Sequence, residues 1–151
     1  MTDWTPPQAP DAQQAFGEAP KSVPSGARAG FGYRLAASLI DGILVGVIIA
    51  LLAAVLGSDI VVTIALYTAG AIYYIVLEGG ATGQTLGKKA VGIRVIGLTD
   101  GAPIGYGRAT VRYFGRIVSS IPVFLGYFWM LWDGEKQTWH DKFATCVVVP
   151  A

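Results

Sequence analysis

The fold class predicted by this 151-residue sequence is an all-α membrane protein, and three observations predict it. Hydrophobic residues make up 53% of the chain and charged residues 14%, against roughly 25% charged in an ordinary soluble domain. From Leu35 to Leu77 the charged side chains are Asp41 and Asp59, which leaves two long apolar stretches. The basic residues gather in one block after those stretches, at Lys88, Lys89, Arg94, Arg108, Arg112 and Arg116. The expected architecture is a transmembrane helical hairpin, a third short or re-entrant helix, an interfacial amphipathic helix and a small two-stranded cytoplasmic β element.

Composition also excludes function classes. A net charge of +1 leaves no electrostatic footprint for nucleic acid. Cys146 is the single cysteine, so no intramolecular disulfide forms. One His140 and one Cys146 fall short of the three or four protein ligands of a zinc site, so neither metal nor cofactor is expected.

Residues 1–29 hold five of the eight prolines and little apolar surface to bury, the pattern of a disordered Pro-rich cytoplasmic tail. The rest, 30–149, reads as the membrane domain. Its first span covers about 34–57, and about 23 helical residues rise about 34 Å, enough for a bilayer core. Gly57-Ser58-Asp59 is a short break, and the second span covers about 60–78, closing at Glu78. Next comes the polar, glycine-rich stretch Gly79–Lys89. Its spacing does not fit a phosphate-binding loop. It reads as a turn at headgroup level, with Lys88 and Lys89 beside lipid phosphates.

Residues 91–98 alternate partly, are rich in Val and Ile, and run into the turn signal Thr99-Asp100-Gly101. The chain closes on Cys146-Val147-Val148-Val149, a second short strand. Isolated strands leave backbone groups unpaired, so these two are expected to pair. The interfacial and third helix occupies about 104–133. Within it Arg108, Arg112 and Arg116 recur every fourth residue, as in a helix lying in the interface with its guanidinium groups toward phosphates. The apolar run from Ile117 to Trp132 is short for a span and contains Pro122.

The basic block sets orientation through the positive-inside rule. The N-terminus and the basic segment are expected in the cytoplasm, with the Gly57–Asp59 loop outside. Strand pairing then brings the C-terminus to the cytoplasmic side as well.

Asp41 is the residue that a membrane helix should not carry, because a carboxylate at mid-span costs about 2.5–3.5 kcal/mol on insertion scales. Arg34 and Ser38 share its helical face. Candidate partners for Asp41 are Arg34, Arg108, Arg112, Arg116 and Lys142. Two readings stay open: an ion-pair or hydrogen-bond lock between helices, or a carboxylate that binds a proton or small cation. Gly42 and Gly46 form a GxxxG step, which permits close approach of the second helix or of another copy. On the second span Thr63, Tyr67, Tyr74 and Glu78 lie near one line, read as a polar seam facing the first. His140 next to Asp141 invites a catalytic reading, but no nucleophile accompanies them, so no enzymatic activity is expected.

Gly32-Tyr33-Arg34-Leu35-Ala36-Ala37 and Ile40-Asp41 open a familiar series. Glu78-Gly79, Gly83-Gln84-Thr85-Leu86-Gly87-Lys88 and Gly92-Ile93-Arg94-Val95 continue it, and Gln137-Thr138-Trp139-His140-Asp141 with Val147-Val148-Val149 close it. In this order and spacing the chain resembles the RDD family of bacterial membrane proteins. The resemblance implies that Arg34, Asp41 and Asp141 are the arginine and two aspartates that name the family. With Ser38, Glu78, Arg108, Arg112 and Arg116 around them, they form the expected transport or structural charge network. It also implies a multi-pass protein of the bacterial plasma membrane. The expected function is small-ligand or monovalent cation/proton transport using Asp41. The alternative is a non-catalytic scaffold or assembly subunit of a membrane complex. Expected partners are the lipid bilayer, a second copy or another membrane protein, and a small cation or proton.

Overall fold

The computed structural model describes residues 28–57 and 59–151. The expected tail lies outside the described residues except for Arg28 and Ala29, and so does Ser58 of the expected break. Helix α1 (Phe31–Leu56) runs unbroken through the first apolar stretch and stops at Gly57. Helix α2 (Ile60–Gly79) begins where the Asp59 carboxylate accepts a hydrogen bond from the Val62 N–H at 2.9 Å. Among the described residues these are the two helices that are each long and apolar enough to cross a membrane. Their outer faces are bare within the chain: Val55 is 82% exposed and Ile60 72%. A contiguous apolar surface of that size requires lipid or protein against it. The two helices meet where Gly70 faces Val45 and Ile49.

The rest of the described residues build a cap over one end of α1 and α2. Helix α3 (Leu86–Ala90) leads into strand β1 (Ile93–Gly97). Helix α4 (Gly105–Ser120) follows, then the short α5 (Leu125–Phe128) with a 3-10 turn at Trp129–Leu131. Helix α6 (Trp139–Phe143) and strand β2 (Cys146–Pro150) close the fold. β1 and β2 pair antiparallel, with Ile93 opposite Pro150, Val95 opposite Val148 and Gly97 opposite Cys146. Both sheet edges are occupied. The Val95 N–H donates to the Gly83 carbonyl at 2.9 Å, and the Ala29 N–H donates to the Val148 carbonyl at 2.8 Å. This settles backbone groups that a two-stranded ribbon leaves open. Gly83 sits at φ +63° with Val95 O against it, so a side chain there would clash with strand backbone. Val95, Cys146 and Val148 join Ala37, Ile104 and Ala109 in the main core, and Val147 and Val149 pack on the opposite face with Ile96.

Helix α4 corrects the interfacial reading. Arg112 is 2% exposed, whereas Phe114 is 59% exposed and Ile117 51%. The arginine ridge turns inward, and the apolar face turns outward. The physical reason is that Glu78 and Asp141 lie inside the cap, and buried carboxylates need cations more than lipid phosphates do. Beyond α4 the chain does not continue as a straight span. α4 and the segment Leu125–Leu131 are together apolar and long enough to cross, but they are bent by 114°. The bend follows Pro122 and passes through Val123 and Phe124 at φ 49° and 59°, left-handed geometry that bulky residues rarely adopt.

Candidate functional site

Three carboxylates organise the interior, each from a different element. Asp41 on α1 is 2% exposed and is held by neutral donors. The Tyr73 hydroxyl donates to its Oδ1 at 2.8 Å and the Gly87 N–H to the same oxygen at 2.7 Å. The Thr85 hydroxyl donates to Oδ2 at 2.5 Å. Gly87 is required here: an added Cβ would stand 2.2 Å from the Ala37 carbonyl oxygen and 2.8 Å from Asp41 Cγ. The expected cationic partners of Asp41 are therefore corrected. Arg34, Arg108, Arg112, Arg116 and Lys142 make their hydrogen bonds and ion pairs elsewhere.

Glu78, at the end of α2, meets three cations. Arg112 Nη1 lies 2.6 Å from Oε2, and both Lys88 Nζ and Arg116 Nη2 donate to Oε1. Lys88 is thus buried against Glu78, not at the exposed turn the sequence predicts, whereas Lys89 stays exposed. The seam predicted on α2 is not one face toward α1: Tyr67 is 66% exposed and Glu78 faces α3 and α4, while Tyr74 lies on a wall shared with Ser38 and Asp41.

Asp141, on α6, is fully buried. Arg112 converges on its Oδ1 with Nε at 2.8 Å and Nη2 at 2.7 Å. Arg34 Nη1 reaches its Oδ2 at 2.5 Å, and the Thr138 N–H donates to the same oxygen at 3.2 Å. Arg34 also donates to the Lys136 carbonyl at 2.8 Å, tying the start of α1 to the C-terminal segment. Arg112 bridges Glu78 and Asp141, so one guanidinium joins α2, α4 and α6. Arg108 lies apart from this network, donating to the Ala144 and Thr145 carbonyls.

Burial alone would raise Asp141, but Arg112 and Arg34 beside it hold its carboxyl well below the usual carboxylate range. Burial pushes the Lys88 ammonium down to about 8 against the opposing pull of Glu78. Burial likewise holds the His140 imidazole well below its ordinary value, so it is neutral near pH 7. Its Nδ1 lies 3.3 Å from Ser119 Oγ, and its Nε2 is 3.9 Å from Asp141, too far for a hydrogen bond. The Cys146 thiol is pushed up to about 12 by burial.

A cavity of about 490 Å³ opens beside this network. Arg34, Ser38 and Asp41 of α1 lie on its wall, with Lys88, Arg112 and Arg116. Aromatic and aliphatic side chains, among them Phe31, Leu35 and Phe128, line the remainder. Gly42 and Gly46 are elsewhere. Nothing among the described residues lies within 4 Å of a Cβ added at either, so the second helix is not their neighbour.

Sequence reasoning placed Arg34, Ser38, Asp41, Glu78, Arg108, Arg112, Arg116 and Asp141 in one network; the structure brings them into one region except Arg108. It missed Tyr73, Thr85, Gly87 and the burial of Lys88. The available signal was Gln84-Thr85-Leu86-Gly87-Lys88, a short polar motif whose hydroxyl, backbone N–H and ammonium serve the two carboxylates of the hairpin.

Comparison with known proteins adds a family and relatives. The RDD family model matches residues 28–145. The proline-rich antigen homolog of Mycobacterium tuberculosis (strain ATCC 25618 / H37Rv) is 35% identical over 89 residues, 56% of this chain and 37% of that protein. The proline-rich antigen of Mycobacterium leprae (strain TN) is 38% identical over 71 residues, 47% of this chain and 28% of that protein. The uncharacterized protein YxaI of Bacillus subtilis (strain 168) is 35% identical over 78 residues, 52% of this chain and 50% of that protein. The matched stretch thus spans half or less of the length of these curated relatives. No solved structure matches.

Proposed function

The chain belongs to the RDD family, and we propose that it binds a small ligand in the cavity beside Asp41, as a small-ligand transporter does. The setting of this reading is a bacterial plasma membrane, with α1 and α2 as a transmembrane hairpin. The basic cap and the N-terminus face the cytoplasm by the positive-inside rule. The observation that carries the reading is the cavity itself. Its volume of about 490 Å³ falls within the usual size of small-molecule sites, and its lining joins apolar walls to a few fixed charged groups. Arg34 and Arg112 are fully engaged by Asp141, Glu78 and backbone carbonyls and serve as the frame of that site.

The test is occupancy. Wild type and Ser38→Trp, which fills the cavity from α1, are purified in the same mild detergent, and bound small molecules are extracted and weighed by mass spectrometry. The reading expects a near-stoichiometric species in wild type that is depleted in an equally stable Ser38→Trp protein. Identical extracts from the two proteins would contradict it.

A second reading, monovalent cation/proton exchange, draws on one observation: Asp41 lies on the cavity wall with the Thr85 and Tyr73 hydroxyls bonded to it. Proteoliposomes with a trapped pH dye test it. Dissipation of a proton gradient on adding sodium, potassium or lithium, lost in a folded Asp41→Asn variant, would replace the first reading with this one.

A further inference from the structure

The charges around the cavity do not balance. Arg34, Lys88, Arg112 and Arg116 face the three carboxylates Asp41, Glu78 and Asp141. Four cations thus stand against three anions, and His140 beside them is neutral. Buried excess charge is costly unless a counter-charge meets it. The excess has a location. Arg34 and Arg112 use all three of their guanidinium nitrogens on described partners. Arg116 gives only Nη2, to Glu78, and rests its guanidinium 4.9 Å from the centre of the Tyr74 ring. Its Nε and Nη1 have no hydrogen-bond acceptor among the described residues, and its side chain is 19% exposed on the cavity wall. These two donors lie on opposite sides of the guanidinium, so an anion meets one open N–H there, in a charge-assisted hydrogen bond.

The cavity mouth says what else the ligand carries. Leu35, Phe124 and Phe128 line it and remain 46%, 57% and 42% exposed. Leu35 lies on a helix apolar enough to cross the membrane, and Phe124 and Phe128 lie at the bend after α4. A cationic floor beneath an apolar, outward-facing rim suits an amphiphile, with its anionic head inside and its hydrocarbon leaving sideways. Basic pockets between helices at the cytoplasmic interface are where anionic lipid headgroups bind.

We propose that the cavity receives the phosphate of an acidic phospholipid, bound by an open N–H of Arg116 with Lys88 behind it, while the acyl chains exit past Leu35, Phe124 and Phe128. This rests on the small-ligand reading of the same cavity and names the ligand class. The same phosphate chemistry exists free in solution, and the apolar rim is what favours the lipid.

The test is a melting series on delipidated, full-length protein in a neutral detergent. The probes are dioleoyl-phosphatidylglycerol, dioleoyl-phosphatidylcholine and inorganic phosphate, each added to wild type, Arg116→Gln, Leu35→Trp, Ser38→Trp and the control Arg94→Gln. The expected result is a saturable rise of several degrees with phosphatidylglycerol in wild type and Arg94→Gln. The rise is absent with phosphatidylcholine, lost in Arg116→Gln and weakened in both tryptophan variants. Arg116→Lys covers a poorly folding Arg116→Gln, because lysine keeps the Glu78 ion pair but removes the open Nε and Nη1 donors. An equal response to phosphatidylcholine would overturn the proposal. An equal response to inorganic phosphate that Ser38→Trp abolishes would overturn the lipid source while leaving the small-ligand reading standing. A full phosphatidylglycerol response in both tryptophan variants would place the lipid outside the cavity and overturn the proposal. The small-ligand reading is judged separately, by the extracts from wild type and Ser38→Trp.

Discussion

Asp41 is held by two hydroxyls and one backbone N–H, and each of these donors depends on its accepting oxygens. Asparagine at this position supplies one oxygen and an amide NH2 that meets donors. Asp41→Asn is therefore expected to lower stability by about 1–3 kcal/mol, the usual penalty of leaving buried polar groups unsatisfied. A lowered melting midpoint in detergent checks it, and an unchanged midpoint counts against the cradle. Gly87→Ala forces a methyl toward the Ala37 carbonyl, which is backbone and cannot swing aside. Overpacking of this kind costs about 1–3 kcal/mol, and Gly92→Ala makes the comparison, because Gly92 has open space but a positive φ. His140 carries the pH dependence. Burial lowers its folded-state pKa, so below about pH 6.5 the unfolded chain binds a proton that the folded chain resists. Stability thus falls as pH drops from 7 toward 5, and His140→Gln is expected to flatten that part of a melting-versus-pH curve. A curve equally steep in the variant would contradict the assignment.

At the scale of elements, α4 is amphipathic in the sense opposite to a soluble or surface-lying helix. Its ridge of arginines is spent on Glu78, Asp141 and two backbone carbonyls, and its apolar face is bare. Arg112→Leu removes the partner shared by two buried carboxylates, and breaking such pairs from one side costs about 3–5 kcal/mol. Arg108→Gln loses bonds to carbonyls at a part-exposed site and is expected to cost less. The ranking of the two melting midpoints checks the account, and reversal would sink it. The spacing of Arg108, Arg112 and Arg116 made the helix and its charged face legible in the sequence. It did not make legible which way that face turns. That depends on where Glu78 and Asp141 come to rest, and these arrive from elements 34 and 29 residues away along the chain. The strands were legible for a different reason: two short β-branched runs each need a partner, and β1 and β2 meet in a single antiparallel register.

Across the whole molecule, two apolar helices carry a cap stitched from the C-terminal half, and Arg34 with Asp141 closes the circuit between the two ends of the described chain. The two long apolar helices were legible because hydropathy is a local property. The partners of Asp41 were not, because Thr85 and Gly87 look like turn residues until α3 folds back on α1. Strand pairing puts the C-terminus on the side of the basic cap. With the basic cap in the cytoplasm, as proposed, Ala151→Cys in a Cys146→Ser background is expected to react with an impermeant maleimide only after cells are opened, and labelling of intact cells would contradict that orientation. Arg112 and Asp141 form one buried unit, and a double-mutant cycle puts that coupling to the test. Melting free energies of Arg112→Gln, Asp141→Asn and the double variant should be non-additive by about 0.5–3 kcal/mol, as for residues within one charge network. Additive losses would mean that the two side chains act independently, and the network described here would not exist.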